Sequence, residues 1–262
     1  DVGQSLIARA RAARIAAVAE ALLALPAAEW GVHSQNGEDG IILALLHLLG
    51  GGTDASTERG VFFEFGVEDG RERNTRLLFE EHAWRGALLD GGHANASIGL
   101  HRHWIDAENV VGLMARYLAP LQRRAGGATA AATAAAAPGG AAAAAASNSA
   151  PGSALESAPR LELDLLSVDI DYNDYWVLKA VLEANVAAPK LLVVEVNAHG
   201  GPERSQSVPY AANASWDGKS SFHGATVNAF VRLCARHAYT LVYCESHGVN
   251  CFFARDDQLV AL

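Results

Sequence analysis

Apolar and polar residues alternate along the chain in blocks of two different periods, and these blocks predict its elements. From Ser5 to Leu25, apolar residues recur at Leu6, Ala10, Ile15, Val18 and Leu22, which is helical spacing and predicts an amphipathic helix at the surface. Ile41 to Leu49 reads as a core helix. Short apolar runs follow at Val61–Phe65, Arg85–Asp90, Asp164–Ile170 and Lys190–Val196, and each predicts a strand. Helical patterns separate them at Asn74–His82, Val110–Leu121, Tyr175–Ala184 and Thr226–His237. Tyr239–Cys244 and Val249–Ala254 predict a closing pair of strands around the turn Ser246-His-Gly248. The continuously apolar strands imply burial on both faces, so the pattern predicts an α/β fold with a doubly wound, mostly parallel sheet.

Composition refines this picture. From Ala125 to Pro159 the chain is almost entirely Ala, Gly, Ser, Thr and Pro, too poor in bulky apolar groups to offset the entropy of ordering. The segment therefore reads as a disordered insertion in one domain spanning residues 31–262, preceded by the N-terminal helix within residues 1–30. The chain opens at Asp1 rather than Met, and Arg9, Arg11 and Arg14 beside the single acid Glu20 give that opening a composition shared with transit peptides; its periodicity favours the amphipathic helix. A net charge of -9 argues against a nucleic-acid footprint, which needs clustered Lys and Arg. No apolar run reaches the length of a membrane span. Cys234, Cys244 and Cys251 lack the paired spacing of a zinc or redox motif and read as buried thiols, which favours a soluble protein in a reducing compartment.

The candidate chemistry collects at strand ends. Glu64-Phe-Gly-Val-Glu-Asp-Gly70 joins a strand to a helix, and glycines at 66 and 70 let the backbone approach a ligand. The next strand ends in Asp90, where an acid can accept the ribose hydroxyls of a nucleoside; a plain turn at Asp90-Gly-Gly92 is the other reading. Asp106 falls where a third strand would end and can reach an adenine amino group, or can cap the helix that begins at Val110.

These segments, with Ser34-Gln-Asn-Gly-Glu-Asp-Gly40 and Asp164-Leu-Leu-Ser-Val-Asp-Ile-Asp171, resemble the FkbM-type methyltransferases and related class I S-adenosylmethionine-dependent enzymes over roughly Ser34 to Arg255. The resemblance implies a methyl donor bound across Glu64, Gly66, Gly70 and Asp90, with Gln35 bordering its pocket. The chain departs from the family pattern at Glu68-Asp69. A charge at Glu68 can pair with the donor's amino group or sulfonium, or mark a different ligand.

Asp169, Asp171, Asn173 and Asp174 cluster past one buried strand, and the next strand ends in Glu195-Val-Asn197. Oxygen ligands at Asp169, Asp171, Glu195 and Asn197 suit Mg²⁺, an arrangement that resembles catechol-type O-methyltransferases; the plainer account gives Asn173 and Asp174 to helix capping. Asp169, His199 and His223 are the candidate catalytic groups, the histidines as bases for an attacking hydroxyl. The loop from Ala198 to Phe222, with Tyr210 and Trp216, reads as a cover over a small-molecule acceptor or as an anchored surface loop. Together these point to O-methylation of a small acceptor. A metal-dependent hydrolase or lyase using the same acids, and a non-catalytic Rossmann-like interaction module, are the competing classes.

Overall fold

The strand pattern explains why one sheet organises the molecule. The computed structural model describes residues 16–50, 59–123, 160–161 and 163–261. The expected insertion at 125–159, the arginine-bearing opening and the first half of the N-terminal helix lie outside the described residues. Helix α1 occupies residues 16–23, followed by α2 (Glu38–Leu49), β1 (Val61–Phe65), α3 (Arg76–Glu81) and β2 (Arg85–Asp90). Then come β3 (Leu100–Arg102), α4 (Val110–Arg123), β4 (Leu165–Val168), α5 (Asp174–Ala184) and β5 (Leu191–Glu195). The chain closes with α6 (Val227–Ala235), β6 (Tyr239–Cys244), β7 (Asn250–Arg255) and α7 (Asp256–Ala261).

The seven strands lie in the order β3-β2-β1-β4-β5-β7-β6. The five from β3 to β5 are parallel, and β7 runs antiparallel between β5 and β6. Strand order reverses between β1 and β4, and in open parallel sheets ligands bind in the crevice beyond such a switch point.

The two-residue period of each strand divides the core into two layers. Phe63 and Phe65 of β1 pack on one face with Met114 and Leu118 of α4, Val177 and Val181 of α5, and Phe230 of α6. Phe62 points to the other face, where Ile41, Leu45 and Leu49 of α2 and Leu78 of α3 cover the sheet. Each fully buried side chain of this size stabilises the fold by about 1.5–3 kcal/mol relative to exposure. Among the described residues no helix is long and apolar enough to cross a membrane.

The cysteine reading needs correction. The antiparallel register of β6 and β7 sets Cys244 directly opposite Cys251, with Cα atoms 4.0 Å apart, and the two form a disulfide. Sequence spacing hid this because the two residues face each other only once the hairpin has formed. Cys234 alone is a free, buried thiol, so the cysteines no longer argue for a reducing compartment.

Candidate functional site

At the carboxyl ends of the parallel strands two clefts meet. The wider has a volume of about 720 Å³, within the range of small-molecule sites, and the narrower about 270 Å³. Gly66, Glu68 and Asp171 line both. Asp90, Trp104 and Ile105 wall the narrow cleft, while Asp169, Glu195, His199 and His223 wall the wide one.

The turn after β1 is shaped by the protein's own packing. Gly66 has φ +74°, and a Cβ there would sit 1.4 Å from the carbonyl oxygen of Asp169, so only glycine fits. Gly70 has φ +84° and its missing Cβ makes room for Ile98, while the residue lines neither cleft. Of the two glycines expected to approach a ligand, only Gly66 borders a cleft.

Glu64 is corrected more sharply. Its side chain is buried on the α3 side of β1, where its two oxygens accept the amides of Asn74 (2.7 Å) and Thr75 (3.1 Å) and the Thr75 hydroxyl. Burial raises its pKa above the ordinary carboxylate range despite these bonds. It anchors the start of α3 and lines neither cleft.

Asp90 makes the turn contacts that the plainer reading expects and also borders a cleft. One oxygen accepts the amides of Gly92 (2.7 Å) and His93 (2.8 Å), the other the amide of Glu68 (2.9 Å), and the residue still borders the narrow cleft. Asp106 spends one oxygen on the amides of Glu108 and Asn109 just before α4, as the capping alternative required, and lines neither cleft. Its neighbours Trp104 and Ile105 take the wall in its place. Neither stands out in the sequence, because an aromatic and an aliphatic residue after a short strand look like ordinary core.

The strand-end acids do converge. Asp169, Asp171 and Glu195 each place a carboxylate oxygen within 4.8 Å of the others. Burial first, and then repulsion from neighbouring carboxylates, Asp174 and Asp171 on Asp169 and Asp169 on Glu195, push both well above the usual carboxylate range. Burial also raises Asp171, whose backbone is held at φ +67°. Glu195 Oε2 is enclosed without a hydrogen-bond partner. Behind them Asp174 is buried in the first turn of α5, accepts the Ile170 amide at 2.6 Å and is raised to about 7, chiefly by burial.

Asn197 leaves the metal-ligand set. Its oxygen accepts the His199 amide, and its amide group donates to the carbonyls of Ser221 and His223, both at 2.8 Å. It ties the two histidine-bearing stretches together. His223 packs against Trp216 at a tilt of 38°, with ring centroids 4.7 Å apart, and sets Nδ1 3.9 Å from Glu195 Oε1. Burial and the nearby His199 lower its pKa, which favours the neutral, proton-accepting form.

The long loop after β5 roofs both clefts, with Ala214 and Ser215 over the narrow one and Trp216 over the wide one. It is latched by Trp104 Nε1 donating to the Ala212 carbonyl (2.6 Å), Asn173 donating to the Ala211 carbonyl (2.8 Å) and the Tyr210 hydroxyl bonding Glu108. Gln35 lines the wide cleft and donates to Glu72. The β6–β7 turn, His247 to Val249, also lines the wide cleft, although nothing in its sequence signals a role there. No known family model matches the chain, and neither does any curated protein.

Proposed function

We propose that the chain transfers a methyl group from S-adenosylmethionine to an oxygen of a small acceptor, on a class I methyltransferase fold. One observation carries the reading: a narrow cleft beside a strand-end acid opens, at the switch point of a parallel sheet, into a wide cleft lined by acids and histidines. The antiparallel closing pair, expected from the apolar pattern, is compatible with that fold.

In this reading the narrow cleft takes the nucleoside of the donor, with ribose hydroxyls at Asp90 and the base between Trp104 and Ile105. The acids at Glu68 and Asp171, common to both clefts, favour the cationic sulfonium where the two meet. The acceptor occupies the wide cleft. Its hydroxyl oxygen forms a bond to the methyl carbon as the carbon–sulfur bond breaks and its electron pair returns to sulfur; the hydroxyl proton passes to the imidazole of His223. Most of the rate comes from holding oxygen and methyl in line under the loop.

Asp169, Asp171 and Glu195 also fit Mg²⁺, because their oxygens converge and one buried Glu195 oxygen has no partner. The ion would lower the pKa of the acceptor hydroxyl. Without the ion, burial and the surrounding carboxylates raise Asp169 and Glu195, which favours their protonated forms.

Calorimetry with S-adenosylhomocysteine tests the reading. The wild-type chain binds it, and Asp90→Asn weakens binding by about tenfold, the loss expected when a carboxylate hydroxyl contact becomes neutral. A folded wild-type chain that takes up no S-adenosylhomocysteine, or an Asp90→Asn chain of equal affinity, overturns it.

A further inference from the structure

We infer that the Cys244–Cys251 disulfide is a redox-sensitive latch on one wall of the wide cleft, closed as the cystine and opened by exchange with a dithiol reductant. The disulfide joins β6 to β7 at the neck of their turn. The six residues it encloses, 245–250, carry the chain through the turn from β6 into the start of β7. Three of them, His247, Gly248 and Val249, face the wide cleft.

The turn also braces its neighbours on both sides. Glu245, whose side chain is wholly enclosed, accepts the amides of His247, Val249 and Asn250 and so folds the tip on itself. The carbonyl of Val249 accepts the Val196 amide at 2.8 Å, and Gly248 lies against Ala198 at the start of the roofing loop. On the other side Ser246 donates its amide and hydroxyl to Glu29, to which the Tyr243 hydroxyl also donates. Asn250 donates to Glu38 at 2.8 Å, and Glu38 accepts the amide of Asn36 beside the cleft residue Gln35. Loosening the tip therefore loosens both the entry to the roofing loop and the Gln35 wall.

The two sulfurs differ in access. Cys251 is fully buried and Cys244 only half-buried, so exchange starts at Cys244. A reductant thiolate attacks the Cys244 sulfur, the sulfur–sulfur bond breaks, and Cys251 leaves as a thiolate and takes up a proton. The reductant's second thiol then displaces Cys244. Two cysteine thiols and an oxidised, cyclic reductant result, with two electrons and two protons transferred. Opening removes a cross-link that restricts the tip's excursions, while the β5–β7 ladder and the buried faces of the sheet keep the rest of the fold.

Hydrogen exchange on the full chain, with and without dithiothreitol and with no donor or acceptor present, tests this independently of the methyl-transfer reading. Amides of residues 245–250 and 34–38 exchange faster by on the order of tenfold to a hundredfold after reduction, while those of β1 and β2 are unchanged. The Cys244→Ser, Cys251→Ser double variant shows the reduced pattern without reductant. Denatured under oxidising conditions, the chain gives one titratable thiol, and after reduction three. Equal protection in both redox states overturns the latch. So does a loss of protection that spreads over the whole sheet, or three thiols in the oxidised chain.

Discussion

Asp174 has no exposed surface, and one of its carboxylate oxygens lacks a partner. The other accepts the Ile170 amide, a bond that favours ionisation, yet burial outweighs it and lifts the group from 3.8 to about 7. A carboxyl raised on folding contributes its stability fully below its unfolded value and loses it as pH climbs through the folded one. The chain is accordingly expected to weaken between about pH 4 and pH 7 through this residue. Asp174→Asn keeps an acceptor for Ile170 and removes the charge. In urea titrations with a chelator present, it should match the wild type near pH 4 and exceed it by roughly 1–3 kcal/mol at pH 8. An equal pH slope in both chains would count against the assignment. The acid itself stands out in the sequence; its enclosure does not, because that depends on distant chain such as Gly224, which lies beside the unpartnered oxygen.

At the scale of elements, β1 shows how strand period decides the role of an acid. Glu64 shares the phase of Phe62, so its side chain points towards α2 and α3 and meets the amides that open α3. The helix consequently starts at Arg76, two residues later than the apolar pattern suggests, with Asn74 and Thr75 held outside it. Glu64→Gln replaces one acceptor with a donor facing backbone amides. It should cost about 1–3 kcal/mol in thermal or chemical unfolding while leaving the affinity for S-adenosylhomocysteine within about twofold. A large loss of affinity at unchanged stability would return Glu64 to the ligand. Glu38 and Asp39 show the same principle. The helix dipole alone accounts for acids in the first turn of α2, but both are buried, and Asp39 also gathers the amides of Val32, His33 and Ser34 that set the loop beside the cleft.

Across the whole molecule, the loop after β5 joins distant parts of the sheet. It leaves at the carboxyl end of β5, crosses both clefts, and is held near β3 and α4 through Trp104 and Glu108. Trp104→Phe preserves the aromatic wall and deletes one bond, worth about 1 kcal/mol. Limited proteolysis should then cut between residues 202 and 222 roughly fivefold faster, with overall unfolding little changed. Unaltered cleavage would place the hold on Asn173 and Tyr210 instead.

Local periodicity along the chain suffices to specify the elements and their order. Strands buried on both faces and helices buried on one leave local periodic signals, and these gave β1, β2 and the closing pair within a residue or so of their positions. It also located the acids at the ends of β4 and β5, because strand ends in a parallel sheet meet at one edge. Which polar groups remain available to a ligand depends instead on contacts between separated segments. Glu64, Asp106 and Asn197 have the right chemistry, but each meets backbone groups that need a partner, and an unpaired buried amide costs more than a ligand contact returns. The pairing of Cys244 with Cys251 and the roof over the clefts likewise depend on contacts between separated segments, which local periodicity does not encode.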